Sequence, residues 1–87
     1  MTRRGRFDIA AEILSIATEG VGKTRIMFKA NLSYNILVRS LRELQERHLI
    51  ECVQQEGSII YRTTEKGRLF LHSYKMIADA FRTNPSI

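Results

Sequence analysis

Hydrophobic residues recur at helical spacing along the first third of the chain. Between Phe7 and Glu19 the apolar positions fall three and four residues apart, which predicts a helix buried on one side, with Gly20 as its C′ residue. A second helix is predicted from Thr24, as N-cap, to Ala30. Asn31 ends it because asparagine tolerates the left-handed conformation of a tight turn.

A third helix is predicted from Tyr34 to about Arg47, with Ser33 as its N-cap. Its apolar spine places three leucines within one narrow arc, and its outer face is polar. The spine consists of Leu37, Leu41 and Leu44, and the outer face of Asn35, Arg39, Arg42, Glu43 and Glu46. The outer face is therefore basic and amide-bearing in its first two turns and acidic later.

The pattern then changes to short β-like segments. Residues 49–54 and 58–62 predict two strands joined by a turn that contains Gly57. Thr64 caps a fourth helix over residues 64–83, and a proline at position 85 stops it. We therefore predict a single, mainly α domain over residues 1–87, a winged helix-turn-helix with a three-helix core, a wing hairpin and a C-terminal helix.

Two helices joined by a short turn, the second polar on its outer N-terminal half, are typical of DNA-binding proteins. In a major groove Asn35 can pair with adenine, Arg39 with guanine or a phosphate, and Arg42 with a phosphate. Ile36 fits either a thymine methyl group or protein packing. The predicted DNA-binding residues are Lys23, Arg25, Ser33, Tyr34, Asn35, Arg39, Arg42 and Arg62.

Charge supports this hypothesis without deciding it. Fourteen Lys and Arg against nine Asp and Glu give a net charge of +5, which suits nucleic acid or an anionic membrane. The same polar face could also consist of the intrahelical ion pairs Arg39–Glu43 and Arg42–Glu46. The wing tip carries no cation, and the basic run at residues 1–6 (Arg3, Arg4 and Arg6) is either a DNA-binding arm or a solvated tail.

Other chemistries find little support in the sequence. Catalytic triads and paired carboxylates are absent, and the Gly22-Lys23-Thr24 run lacks the preceding glycine of a phosphate loop, since position 17 is alanine. The lone Cys52 is expected to be a small buried residue. We expect no enzyme activity, cofactor, metal or small-molecule ligand, and a cytoplasmic, nucleoid-associated protein without a signal sequence or a membrane segment.

The run from Lys23 to Tyr34 resembles the helix-turn-helix signature of small archaeal winged-helix proteins, which include the ten-kilodalton a-type chromatin proteins and related predicted transcription regulators. Residues 49–51 and 61–67 follow that pattern too. The resemblance implies a DNA-binding domain that is commonly dimeric through its C-terminal helix. His48 stands where the family usually has glycine, which leaves room for a differently built turn.

The C-terminal helix carries a stripe that packs either on the first helix or on a second chain. Its members are Phe70, Tyr74, Ile77 and Phe81. We favour a homodimer in which the first turns pack internally and the last turns pair, presenting two recognition helices about 34 Å apart. The alternative function is a protein–protein interaction module of a transcription or replication assembly. A redox-responsive regulator that uses Cys52 ranks lower, because the cysteine has no resolving partner.

Overall fold

The computed structural model describes residues 4–82, so the predicted arm residue Arg3 and the proline stop signal lie outside it. Three helices are followed by an antiparallel hairpin and a fourth helix, which confirms the predicted fold class. The elements are α1 (Arg6–Ile16), α2 (Lys23–Ala30), α3 (Tyr34–Glu46), β1 (Ile50–Gln55), β2 (Ser58–Thr63) and α4 (Glu65–Arg82).

The hydrophobic core gathers around α1, which contacts the other three helices and β2. The fully buried large side chains are Ile13 and Leu14 from α1, Ile26 from α2 and Leu37 from α3. Two further residues of the α3 spine, Leu41 and Leu44, are buried as predicted. Since burial of each such side chain contributes about 1.5–3 kcal/mol, this shared core fixes how α2 and α3 are held together.

The first helix ends at Ile16, three residues before the predicted end. Two hydroxyl groups donate to the Leu14 carbonyl oxygen, from Thr18 Oγ1 at 3.1 Å and from Thr63 Oγ1 at 2.6 Å. These bonds satisfy a terminal carbonyl without a further turn of helix. Gly20 has the expected left-handed backbone, with φ of 94°, but it follows a turn and is not the C′ residue.

The second helix begins at Lys23, so Gly22 is its N-cap in place of the predicted Thr24. The start of α2 is set by Val21, the residue before this N-cap. Val21 is held extended against β2, because its N–H donates to the Tyr61 carbonyl oxygen at 3.0 Å and its own carbonyl oxygen accepts from the Tyr61 N–H at 2.7 Å. Once this bridge ends, the chain turns at once into α2.

The turn between α2 and α3 forms as the sequence predicts. Asn31 is left-handed, with φ of 55° and ψ of 54°, and Ser33 Oγ accepts a hydrogen bond from the Ile36 N–H at 3.3 Å. Three residues therefore separate the helices, and the second helix of the pair begins at a capped, fixed position.

The hairpin closes through a two-residue turn at Glu56 and Gly57, both with positive φ (51° and 79°), as the right-handed twist of a hairpin favours. Strand β1 begins one residue later than predicted, because the Leu49 N–H still bonds the Leu44 carbonyl of α3 at 2.9 Å. His48, just before it, has φ of 62°. This is the conformation that glycine favours, so the turn keeps a glycine-type geometry despite the histidine.

Thr64 caps the last helix as predicted: its Oγ1 accepts a hydrogen bond from the Gly67 N–H at 3.0 Å and donates one to the His48 carbonyl oxygen at 2.7 Å. Gly67 lies directly against the loop before β1. A Cβ atom at this position would lie 2.1 Å from the Leu49 carbonyl oxygen and 2.7 Å from Thr63 Cγ2. The start of α4 is thus held against the base of the wing.

Replacing Gly67 with alanine should lower the free energy of unfolding by about 1–3 kcal/mol, because the new methyl group meets backbone that cannot move aside. Urea denaturation followed by circular dichroism measures the change. Gly22→Ser is the control, since a Cβ at Gly22 meets no atom within 4 Å and serine is a good N-cap. Equal stability of the Gly67→Ala variant and the wild type would contradict the close packing described here.

Candidate nucleic-acid interface

The outer face of α3 is exposed and basic in its first half. Asn35, Arg39 and Arg42 are all exposed, and within residues 4–82 none of them has a hydrogen-bond or ion-pair partner. The intrahelical pairs considered as an alternative, Arg39–Glu43 and Arg42–Glu46, do not form in the structure. These three side chains are therefore available to an external ligand.

The N-terminal end of α3 adds a second set of polar groups. The Tyr34 ring is 58% exposed, and Lys23 Nζ from α2 lies 5.4 Å from its centroid. The Ser33 hydroxyl is engaged by its cap hydrogen bond, but the first backbone N–H groups of the helix point outward with the positive end of its dipole. Arg25 is exposed on the outside of α2. A cationic surface thus extends from α3 to α2.

One face of the hairpin lies beside this surface. Cys52 and Tyr61 are cross-strand partners on that face. The pKa of Tyr61 is raised, first by burial and then by Cys52, while Lys23 acts to lower it. Cys52 itself is exposed, so the expectation of a buried cysteine is wrong. The face is buried only at its base, at Ile50 and its cross-strand partner Thr63, and it leaves the core as the hairpin extends.

Arg62 belongs to the opposite face of the hairpin. It is one residue from Tyr61 along β2, and successive side chains of a strand alternate between faces. Its guanidinium lies 3.9 Å from Glu51, its cross-strand neighbour, and its Nε would be 3.4 Å from a Cβ on Gly20. The structure therefore does not bring Arg62 together with the other seven predicted DNA-binding residues.

The tip of the wing is exposed from Gln54 to Ile59. It offers amides and a hydroxyl group, with no Lys or Arg, as the sequence indicates. Glu56 at the turn is unfavourable next to phosphate. The positive surface is therefore concentrated on the helices and not on the wing.

Two of the three arginines of the predicted arm make contacts within the domain. Arg4 donates to the carbonyl oxygens of Ala30 at 2.6 Å and Asn31 at 2.9 Å, and pairs with Glu12 at 2.8 Å. It thus clamps the end of α2 to α1. The hypothesis of an arm or a solvated tail is wrong for this residue, and local sequence could not reveal a partner 26 positions away.

Arg6 contacts α3 from the other side. Its guanidinium donates to both carboxylate oxygens of Glu43, and Arg47 Nε pairs with the same group at 3.2 Å. The hydrogen bond from Arg6 is the largest cause of the lowered pKa of Glu43, and it also raises the pKa of Arg6. Arg6 therefore braces α3 and is not part of a DNA-binding arm.

The stripe on α4 divides between two environments. Phe70 is half-buried against the core, and the Tyr74 hydroxyl donates to Asp8 of α1. That hydrogen bond is the first cause of the lowered pKa of Asp8, followed by one from the Gly5 N–H. Ile77 and Phe81, by contrast, are 59% and 88% exposed. The first two residues pack within the domain and the last two remain uncovered.

Within residues 4–82 no group of three or more His, Cys, Asp or Glu residues is placed to hold a metal ion. No helix in the same range combines the length and the apolar character needed to cross a bilayer.

Comparison with known proteins identifies the class. The winged helix-turn-helix family matches residues 3–81, nearly the whole chain, and the chain belongs to that family. No curated protein sequence matches it. Among solved structures, the fold is similar to that of Sso10a-2, a DNA-binding protein from Sulfolobus solfataricus, with a TM-score of 0.81 and 25% identity over 91% of this chain and 83% of that one.

Two further structures share the fold at lower identity. AF1382 from Archaeoglobus fulgidus has a TM-score of 0.75 at 21% identity, over 97% of this chain and 94% of that one. Lactococcus lactis ZitR, solved in complex with DNA, has a TM-score of 0.69 at 20% identity, over 83% of this chain. The matched region spans about half of ZitR, 52% of its chain. The resemblance to small archaeal winged-helix proteins that the sequence indicates is therefore confirmed.

Replacing Arg4 with alanine should lower the free energy of unfolding by about 1 kcal/mol, because two carbonyl groups at the end of α2 lose a charged donor. Thermal denaturation at fixed salt measures the change. Arg68→Ala, an exposed arginine on α4, is the matched control and should have little effect. Equal melting temperatures for both variants and the wild type would show that the clamp does not stabilise the domain.

Proposed function

We propose that the chain binds double-stranded DNA with α3 in the major groove, as a transcription regulator or a chromatin-type protein. The observation that carries the proposal is the exposed trio Asn35, Arg39 and Arg42, which the fold presents on one helix face without partners within residues 4–82. A helix of this kind fits a groove roughly 12 Å wide, where base edges display distinct hydrogen-bonding patterns.

The proposed roles follow from position along α3. Asn35, in the first turn, reaches base edges and suits adenine, while Arg39, one turn later, suits guanine or a phosphate. Arg42 lies further along the helix and suits a phosphate. The DNA backbone beside the major groove is held by Lys23, Arg25, Tyr34 and the backbone N–H groups that follow Ser33 at the start of α3. Arg62 plays at most an accessory part, since it packs at the base of the wing.

The comparisons support a nucleic-acid function at the level of the class. Sso10a-2 is a DNA-binding protein and ZitR has been solved with DNA bound. Proteins of the winged helix-turn-helix family are typically not enzymes, which agrees with an exposed cationic helix as the main functional surface. DNA as the partner implies a cytoplasmic, nucleoid-associated protein.

We further propose a homodimer through the second half of α4. Four large apolar side chains of α4 remain exposed in the single chain, and each would gain from burial against a second copy. They are Met76, Ile77 and Phe81 in the second half of the helix, and Leu69 nearer its start. Phe70 and Tyr74, which the sequence also suggested for the interface, already contact their own domain. A two-fold dimer would present two α3 helices to half-sites about one helical turn apart.

Replacing Arg39 with alanine should weaken binding to a duplex by about 1–3 kcal/mol, and should change base preference if the side chain reads a base. Fluorescence anisotropy with randomised and selected duplexes measures both effects. The wild-type affinity should fall with salt at a slope near −0.9 for each phosphate neutralised, and Arg42→Ala should reduce that slope by about one.

The matched control is Arg68→Ala on α4, which should leave duplex affinity unchanged. An equal loss for every sequence would make Arg39 a phosphate contact. Absence of any duplex binding by the wild type at micromolar concentration and low salt would overturn the proposal. In that case the rival function, a protein-interaction module, would account for the exposed surface.

Replacing Phe81 with aspartate should shift the protein from dimer to monomer, because an uncompensated charge would enter the proposed interface. Sedimentation equilibrium measures the mass. Ile59→Asp is the control, since Ile59 is similarly exposed but lies near the wing tip. A wild type that sediments as a monomer across the micromolar range would contradict the dimer, while leaving the DNA-binding proposal standing.

A further inference from the structure

An open groove lies on the side of α3 away from the Lys23–Tyr34 contact. It is bounded by the first turns of α1, by α3 and by the start of α4, and its volume is about 900 Å³. Small-molecule sites in proteins commonly enclose about 300–1,000 Å³. The groove is thus large enough for a compact organic ligand.

The walls of the groove are mainly apolar. Phe7 of α1 and Ile36 of α3 both line the groove, and Phe70 of α4 contributes a second aromatic ring. Phe7 is 62% and Ile36 42% exposed, so both present apolar surface to the groove. A bound apolar group would remove this surface from water, and the gain in free energy would favour binding.

The rim of the groove is predominantly cationic. Four cationic side chains line it against two carboxylates, those of Glu43 and Glu46. Glu43 already accepts from two of the cations, Arg6 and Arg47, so its charge is compensated. Arg39 also lines the groove, and it has no partner among residues 4–82. The charge at the rim therefore favours an anion.

We propose that this groove binds a small amphipathic carboxylate. Its apolar chain or ring lies against Phe7, Ile36 and Phe70, and its carboxylate pairs with the guanidinium of Arg39, whose planar donors match the two carboxylate oxygens. The groove adjoins the proposed DNA-facing surface and shares Arg39 with it. The regulatory part of the inference rests on the proposed function: a bound carboxylate engages Arg39 and weakens DNA binding.

Two carboxylates with different apolar parts, decanoate and 2-naphthoate, serve as probes, with decanol as the neutral match for decanoate. Binding to the full chain is followed by amide chemical shifts in an NMR titration. We expect shifts at Ile36, Ser40 and Phe70, and a dissociation constant for decanoate about tenfold below that for decanol. The two acids together tell whether the groove prefers an alkyl chain or an aromatic ring.

Phe7→Asp tests the wall, because it places a negative charge beside the proposed ligand. It should raise the dissociation constant for decanoate at least about tenfold, with a circular dichroism spectrum unchanged from the wild type. Ile59→Asp, outside the groove, is the matched control and should bind normally. Arg39→Gln tests the proposed pairing of the ligand carboxylate with Arg39. It should reduce the preference of the protein for decanoate over decanol.

Several results would overturn the inference. One is a set of amide chemical-shift changes confined to the exposed end of α4, and another is equal affinity of the wild type for decanoate and decanol. A third is a wild-type dimer that Phe7→Asp converts to a monomer, because a second copy of the chain would then cover the groove.

DNA binding is measured separately, without any ligand. If the carboxylate binds and no duplex does, the proposed function fails and the ligand site stands. If a duplex binds and neither carboxylate does, the ligand site fails and the proposed function stands. When both bind, saturating decanoate should weaken duplex binding by the wild type and leave that of Phe7→Asp unchanged.

Discussion

The arrangement of wing and helices depends on the hydrogen bonds of one buried threonine. Thr63 is the single polar residue buried among residues 4–82, and both its side chain and its backbone donate to the end of α1. Its hydroxyl bonds the Leu14 carbonyl at 2.6 Å and its N–H bonds the Ala17 carbonyl at 3.0 Å. Buried carbonyl groups at a helix terminus are costly when unpaired, so the hairpin base and α1 stabilise each other.

The cationic residues of the domain fall into two groups, those that have partners within it and those that do not. Arg4 and Arg6 contact α2, α1 and α3 through carbonyl and carboxylate oxygens, and act as braces. Arg39 and Arg42 are exposed on α3 and have no partner in the described part of the domain. Net charge does not distinguish these groups, because each member contributes one positive charge. What separates them is whether an oxygen acceptor from another element lies within reach.

The sequence predicts well what is determined locally. The leucine spine of α3, the Ser33 cap, the left-handed Asn31 and the Thr64 cap all depend on residues within a few positions, and the structure has each of them. Errors arise where a distant element intervenes. Thr63 shortens α1, the bridge to Tyr61 sets the start of α2, and the outward course of the hairpin exposes Cys52. Likewise, the hydrogen-bond partners of Arg4 lie too far along the chain for the spacing of residues in the sequence to reveal them.

The clamp at Arg4 also determines where the chain enters the domain. Because its guanidinium is bonded to the carbonyls of Ala30 and Asn31, the segment before α1 is held next to the turn that leads into α3. A polypeptide joined ahead of Arg4 would therefore meet the domain close to the turn that precedes α3. If α3 binds DNA as proposed, an affinity tag or a fused domain at that end would lie near the DNA-binding surface, whereas the wing tip offers a point of attachment on a separate element.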